Sequence, residues 1–119
     1  MTLRILLIDD DLLLGQIIRA LVSSKGGQVT QALNGQSGIE LALNNVYDHI
    51  LVDLMLPQID GLNVLRKLST QKHTSNFANL IAISSRKSEE HKKECLTVGA
   101  NYFLEKPVRP QALFECLGL

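Results

Sequence analysis

Net charge, cysteine and long apolar runs are all scarce in this chain, and each shortage removes a class of function. Its 119 residues carry twelve basic and twelve acidic side chains, so the formal charge is zero and no basic surplus is available to bind nucleic acid directly. The apolar runs are too short to cross a bilayer, which argues against a membrane span. The first of them, Ile5 to Ile8, follows Arg4 as the core of a secretory signal would, but it stops at Asp9, Asp10 and Asp11 and is too short to be one. Two cysteines, Cys95 and Cys116, cannot make a disulfide framework and fall in helical segments, which points to free thiols in a reducing cytoplasm. Internal repeats and low-complexity segments are missing too. What remains is one domain, residues 1–119, long enough to bury a single core.

Within that domain, short β-rich runs alternate with helical patterns, the signature of βαβ units and of an α/β fold on a parallel sheet. Strands are expected at Arg4 to Ile8, Gln28 to Ala32, His49 to Asp53, Asn79 to Ser84 and Asn101 to Leu104. The first helical stretch, Leu12 to Ser24, spaces Leu14, Ile17, Ile18, Leu21 and Val22 so as to cover the sheet, and Gly26-Gly27 ends it. The second starts near Gly35 and carries Ile39, Leu41, Ala42 and Leu43. The third follows Asp60-Gly61, where Asp60 can cap the helix and Gly61 allows a turn conformation. The fourth opens at Ser88, presents the charged run Glu89 to Glu94 to solvent, and is expected to bury Cys95, Leu96 and Val98 before Gly99. The fifth has Pro110 in its first turn, ends at Gly118 and is short. Ser69 to Asn79 reads as a long polar loop. His49, His73 and His91 show no metal spacing and read as surface residues.

Four of the apolar runs end in polar side chains: Asp9, Asp10 and Asp11 after the first, Asp53 after the third, Ser84 after the fourth and Lys106 after the last. In parallel strands those ends meet on one sheet edge, where open α/β folds place their sites. Carboxylates brought together there repel one another, so one takes up a proton or a cation joins them. Oxygen ligands favour magnesium or calcium, and a site that keeps waters for a phosphate favours magnesium. Asp9, Asp10 and Asp53 sum to minus three and Lys106 adds plus one, a balance of minus two that one magnesium ion neutralises. Such a site suits phosphoryl transfer, with the metal, Lys106 and Ser84 each taking a phosphate oxygen. Asp53 is then the nucleophile, forming an acyl phosphate.

Singly, none of these motifs is specific, since Asp9 to Asp11 could merely cap a helix and Lys106-Pro107 could be an exposed turn. Their order and placement are. The segments ILLIDDD, ILVDLMLPQIDG, IAISS and GANYFLEKPV resemble, in that order, the motifs of bacterial response-regulator receiver domains, and the resemblance covers essentially the whole chain. It implies a flavodoxin-like, doubly wound five-stranded parallel sheet of order 2-1-3-4-5 with five flanking helices. It also implies a phosphoryl donor that is a phosphohistidine on a sensor histidine kinase or a histidine phosphotransfer protein.

By position, Asp53 matches the phosphoacceptor, Asp9 and Asp10 the acidic pair, and the Met55 backbone carbonyl a further metal ligand, with Asp10 touching the metal directly. Ser84 matches the hydroxyl that follows the phosphoryl group, and Lys106 the lysine that pairs with Asp53 and phosphate. Pro107 implies a cis peptide after Lys106. Phe103 occupies the switch-aromatic position without that residue's usual hydroxyl, while Tyr102, one position off, points to the opposite side of a regular strand. Met55 and Arg86 flank the path of an attacking water and are expected to slow self-hydrolysis. The resemblance implies that partners use the surface of the fourth helix, fifth strand and fifth helix, and a homodimer through that face is one arrangement it allows.

Three other classes share part of this pattern. A haloacid-dehalogenase-type phosphatase fits Asp9-x-Asp11 superficially but needs a second acidic cluster after the lysine, where only Glu115 follows. A flavin binder needs a phosphate loop after the first strand, and this chain puts three negative charges there. A degenerate receiver acting as a phosphorylation-independent interaction module is the runner-up, although acidic pair, acceptor, hydroxyl and lysine are all present. The reading is therefore a receiver that catalyses only its own phosphorylation and dephosphorylation. No output segment follows Gly118-Leu119, so the chain is expected to be either a stand-alone receiver acting on a downstream protein or a piece of a longer protein whose output domain is missing here, and the short fifth helix favours the second. The cognate kinase, the stimulus, the oligomeric state and the phosphoryl lifetime are not written in the sequence.

Overall fold

The computed structural model describes residues 2–56, 60–71, 74, 77–86 and 88–119. In chain order the elements are β1 (Arg4–Ile8), α1 (Leu12–Ser23), β2 (Gln28–Ala32), α2 (Gly35–Asn44), β3 (His49–Asp53), α3 (Gly61–Thr70), β4 (Asn79–Ser84), α4 (Glu89–Thr97), β5 (Tyr102–Glu105) and α5 (Pro110–Leu117). The strands form one parallel sheet in the order β2-β1-β3-β4-β5. Crossovers between parallel strands lay helices on both faces, which is why the inner strands are apolar on both sides. All five residues of β3 are buried, whereas β2, at the sheet edge, keeps Gln28 and Thr30 exposed.

Alternate residues of each strand feed two cores. On one face Leu6, Ile8, Ile50, Val52, Leu80 and Ala82 pack with residues of α2, α3 and α4, among them Ala42, Val64, Leu65 and Cys95. On the other, Ile5, Leu7, Leu51, Ile81 and Ile83 meet Ile18 and Val22 of α1 and Leu113 and Leu117 of α5. Fully burying each such side chain contributes about 1.5–3 kcal/mol, so the central strand ends are held by both cores at once.

The expected caps form. Asp11 accepts the Leu14 N–H, Asp60 the Leu62 N–H and Ser88 the His91 N–H, each satisfying a donor that the helix start leaves open. Asn34 does the same for α2 through the Ser37 N–H. The Lys106-Pro107 peptide is cis, and Gly118 ends α5 in the left-handed region at φ 69°.

Several expectations need correction. Gly61 is not a left-handed turn residue, since Gly26, Gly99 and Gly118 are the glycines with positive φ among the described residues. It is needed for close approach: a Cβ there would lie 2.4 Å from the Asp53 carbonyl oxygen and 2.5 Å from the Leu54 Cα. β5 starts at Tyr102, because Asn101 turns its side chain back to accept the Leu80 N–H. The polar loop begins after Thr70, with Ser69 and Thr70 completing α3, and Lys72, His73, Ser75 and Asn76 lie outside the described residues. Ile17, expected to cover the sheet, is exposed, as are Leu43 and Leu96. In α4 the buried residues are Cys95 and His91. His49 and His91 are therefore not surface residues, each being 6% exposed.

Candidate functional site

The carboxyl ends of β1, β3 and β4 are adjacent in the sheet, and their polar residues come together there. The parallel register aligns Ile8 with Val52 and Asp53 with Ile83, so Asp9, Asp53 and Ser84 emerge side by side. All three are buried, Asp9 and Ser84 completely. Asp10 is exposed beside them. Asp9, Asp10 and Asp53 each offer a carboxylate oxygen, and these oxygens lie within 4.8 Å of one another.

Local structure fixes each group. The ladder runs one bond past β1, with the Asp9 N–H donating to the Ala32 carbonyl at 3.0 Å, and one past β3, with the Leu54 N–H donating to the Ile83 carbonyl at 3.0 Å. Asp9 Oδ1 accepts the Asp11 N–H at 2.9 Å, and Asp53 Oδ1 accepts the Met55 N–H at 3.0 Å. Gln31, on β2, donates its side-chain amide to the carbonyls of Asp9 and Asp11 at 2.9 and 3.1 Å. Its amide lies where a Cβ on Gly15 would sit, 1.9 Å from Oε1, so Gly15 makes room for the strut that holds the acidic loop.

Lys106 supplies the positive charge, with Nζ 3.1 Å from Asp9 Oδ2 and 3.4 Å from Asp53 Oδ2. Lys106 is the partner of the fully buried Asp9 Oδ2, which meets no other hydrogen-bond donor among the described residues. Burial raises the Asp9 pKa and the Asp53 charge raises it further, against the opposing pull of the Asp11 N–H and Lys106. Burial pulls the Lys106 ammonium down, but Asp9 and Asp53 outweigh it and hold its pKa above the ordinary value. One cation thus does not satisfy the carboxylates. A buried carboxylate oxygen met by one ammonium, with two further carboxylates close by, is a donor set for a hard divalent cation of the magnesium type.

Ser84 Oγ accepts the Arg86 N–H at 3.0 Å and lies 3.2 Å from Nε2 of His91. Phe103 is half-buried and meets His91 edge-on, with ring centroids 6.0 Å apart. Tyr102 is exposed, consistent with strand alternation. The Met55 and Arg86 residues are exposed at the rim, and Pro57, Gln58 and Ile59 lie outside the described residues. Sequence reasoning missed Gln31 and His91. Gln31 sits on an edge strand with no motif around it, and His91 is hidden in a charged run whose polar neighbours face solvent.

Comparison with known proteins agrees with this geometry. The chain is 32% identical over 93% of its length to the transcriptional regulatory protein SrrA of Staphylococcus aureus, of which the match covers 44%; it therefore spans less than half of that relative. The receiver domain of the Francisella response regulator 1452 superposes with a TM-score of 0.89 at 30% identity, covering 98% of this chain and 94% of that one. The receiver domain of the sensor histidine kinase PA1611 of Pseudomonas aeruginosa gives 0.86 at 29% identity over 98% of this chain and 95% of that one, with a magnesium ion coordinated in its active-site cleft. The profile for the response regulator receiver domain matches residues 5–117, and with the fold and the acidic pocket in agreement, this chain belongs to the response regulator receiver domain family.

Proposed function

We propose that Asp53 is the phosphoacceptor of a two-component phosphorelay. A carboxylate oxygen attacks the phosphorus of a phosphohistidine, and the P–N bond breaks with its electron pair returning to the donor imidazole. The observation that carries this reading is the cluster of Asp9, Asp10 and Asp53, whose carboxylate oxygens lie within 4.8 Å of one another with Lys106 3.1 Å from Asp9 and 3.4 Å from Asp53. Asp9, Asp10, Asp53 and the Met55 carbonyl would hold magnesium, which supplies positive charge to the phosphate oxygens. Lys106 binds one oxygen of the transferred group, and the Ser84 hydroxyl turns to donate to another. The chemistry is the domain's own modification, so the protein is not a multiple-turnover enzyme on a separate substrate.

The donor is a sensor histidine kinase or a histidine phosphotransfer protein in the cytoplasm. Beside the carboxylates, Leu13, Leu14, Ile17, Pro107 and Val108 line a hollow of about 440 Å³ with Asp11 and Lys106 at its margin, an apolar rest for a partner helix that presents its histidine to Asp53. The output passes through α4, β5 and α5, to a downstream protein or a joined domain, with Ser84 and Phe103 as the switch. A homodimer through that face is the arrangement to look for after phosphorylation. Among the described residues no helix is long and apolar enough to cross a membrane.

Intact mass after incubation with magnesium and acetyl phosphate tests the acceptor. One added phosphoryl group is expected, absent in Asp53→Asn and absent when the metal is chelated; no addition to the native chain under any donor, its kinases included, would sink the reading. The side chains of Met55 and Arg86 screen the acyl phosphate from water, so Met55→Asn and Arg86→Ala should each shorten its lifetime. Unchanged decay in both would remove that role.

A further inference from the structure

The Ser84 hydroxyl has one proton to donate, and its oxygen already accepts the Arg86 N–H at 3.0 Å. His91 Nε2, 3.2 Å away, is therefore a natural acceptor for that proton. Ser84 is fully buried and His91 nearly so, so water cannot readily replace a bond lost between them. The imidazole is placed from its backbone, because Ser88 Oγ accepts the His91 N–H at 3.1 Å and fixes the first turn of α4. Its ring also stands edge-on to Phe103, at an interplanar angle of 85°. A single side chain on α4 thus touches both residues of the switch.

We propose that His91 is a positioning residue that holds the unphosphorylated state, with the Ser84 O–H donating to His91 Nε2 until a phosphoryl group on Asp53 draws that proton to itself. This inference rests on Asp53 being the phosphoacceptor. No proton changes owner: the hydroxyl keeps its hydrogen and exchanges one acceptor, Nε2, for another, a phosphoryl oxygen. The vacated Nε2 is then a buried polar atom without a partner, which is costly, and the ring must turn or carry α4 toward water. α4 can yield because His91 and Cys95 are the buried residues that anchor it, and weakly anchored elements open first. Phe103, losing its ring neighbour, gains room to change rotamer. Phosphorylation would then be read on the α4 and β5 surface as a broken Ser84–His91 bond.

Ring-¹⁵N histidine spectra test this, recorded with magnesium before and after acetyl phosphate, with intact mass measured on the same sample. His91 is assigned by the His91→Gln variant. Expected are an unprotonated, hydrogen-bonded Nε2 before phosphorylation, displacement of its resonance afterwards, and no displacement for His49. Ser84→Ala should show the displaced resonance without any donor. His91→Phe, which keeps a buried ring but not the bond, should accelerate phosphorylation by acetyl phosphate roughly two- to tenfold, whereas His91→Gln, whose amide oxygen can accept the Ser84 hydrogen in place of Nε2, should stay close to the native rate. An Nε2 that carries the proton in the native chain, or one that does not move in a sample whose mass shows the phosphoryl group, overturns the latch and leaves the phosphoacceptor intact. If no phosphoryl group is added, the phosphoacceptor reading fails instead, and Ser84→Ala still decides whether the bond exists: an unmoved Nε2 there overturns the latch as well. Should His91→Phe not fold, the Ser84→Ala spectrum carries the same decision.

Discussion

His49 and Asp53 stand at opposite ends of β3, and each buries a titratable side chain, at 6% and 3% exposure. His49 Nδ1 lies 3.4 Å from Asn79 Nδ2, and burial lowers its pKa against the opposing pull of the Asp48 charge and a hydrogen bond to the Leu117 backbone. Asp53 faces Lys106, the Met55 N–H and two further carboxylates. The same strand thus holds a buried ionisable group with neutral hydrogen-bond partners and one surrounded by charged groups. Burial and a shifted pKa do not make a site by themselves; convergence of several strand ends does, and in a parallel sheet that convergence happens at the carboxyl edge.

The largest effect should come from the Asp53 end. Lys106→Met removes the cation that meets Asp9 and Asp53 and a stabiliser of the transferred phosphate, and phosphorylation by acetyl phosphate should slow roughly a hundredfold; a rate within twofold of native would break the contrast. Magnesium should stabilise the native fold by about 2.7 kcal/mol at a hundredfold excess over its dissociation constant, read as a rise in thermal midpoint that chelation reverses. Asp53→Asn should shrink that rise, and His49→Asn should leave it intact.

Gly61→Ala should lower stability by about 2 kcal/mol in urea denaturation, because the added methyl meets the backbone of Asp53 and Leu54. The smallest effect belongs to His49. Its folded pKa lies below the ordinary 6.5, so as pH falls through that value the unfolded chain takes up a proton the folded chain refuses, and stability is lost until the folded value is passed. His49→Asn should flatten the part of the stability profile below pH 6.5, while its phosphorylation rate at neutral pH stays native.

Much of this was legible in the sequence because it depends on period and punctuation. The strand runs, the caps at Asp11, Asp60 and Ser88, and the order of Asp9, Asp10, Asp53, Ser84 and Lys106 are local signals, and the structure reproduces their placement. What escaped depends on which elements meet across the fold. Apolar periodicity put Ile17 against the sheet, but it is exposed at the hollow beside Pro107 and Val108. In α4, charge on every side obscured an imidazole that turns inward to Ser84. Asn101 looked like the start of a strand, yet its side chain substitutes for a ladder acceptor opposite Leu80. Gly61 carried a turn signal, and its real constraint is a backbone brought close by the approach of α3 to β3.

The lysine that neutralises the pocket enters from beyond β5, at the far margin of the sheet, and reaches Asp53 at the end of β3 and Asp9 beyond β1. Its backbone N–H donates to the Ser84 carbonyl at the end of β4 and its side chain extends past that strand end, so the position of the β5 margin governs the field inside the acidic cluster. With Asp53 as the proposed phosphoacceptor, a molecule that grips the margin and shifts Lys106 would alter how readily Asp53 takes a phosphoryl group. Under that proposal linkage requires the converse to hold to the same factor for the binding equilibria: a partner that reads the phosphorylated surface would also set, by being present, how much of the protein is phosphorylated.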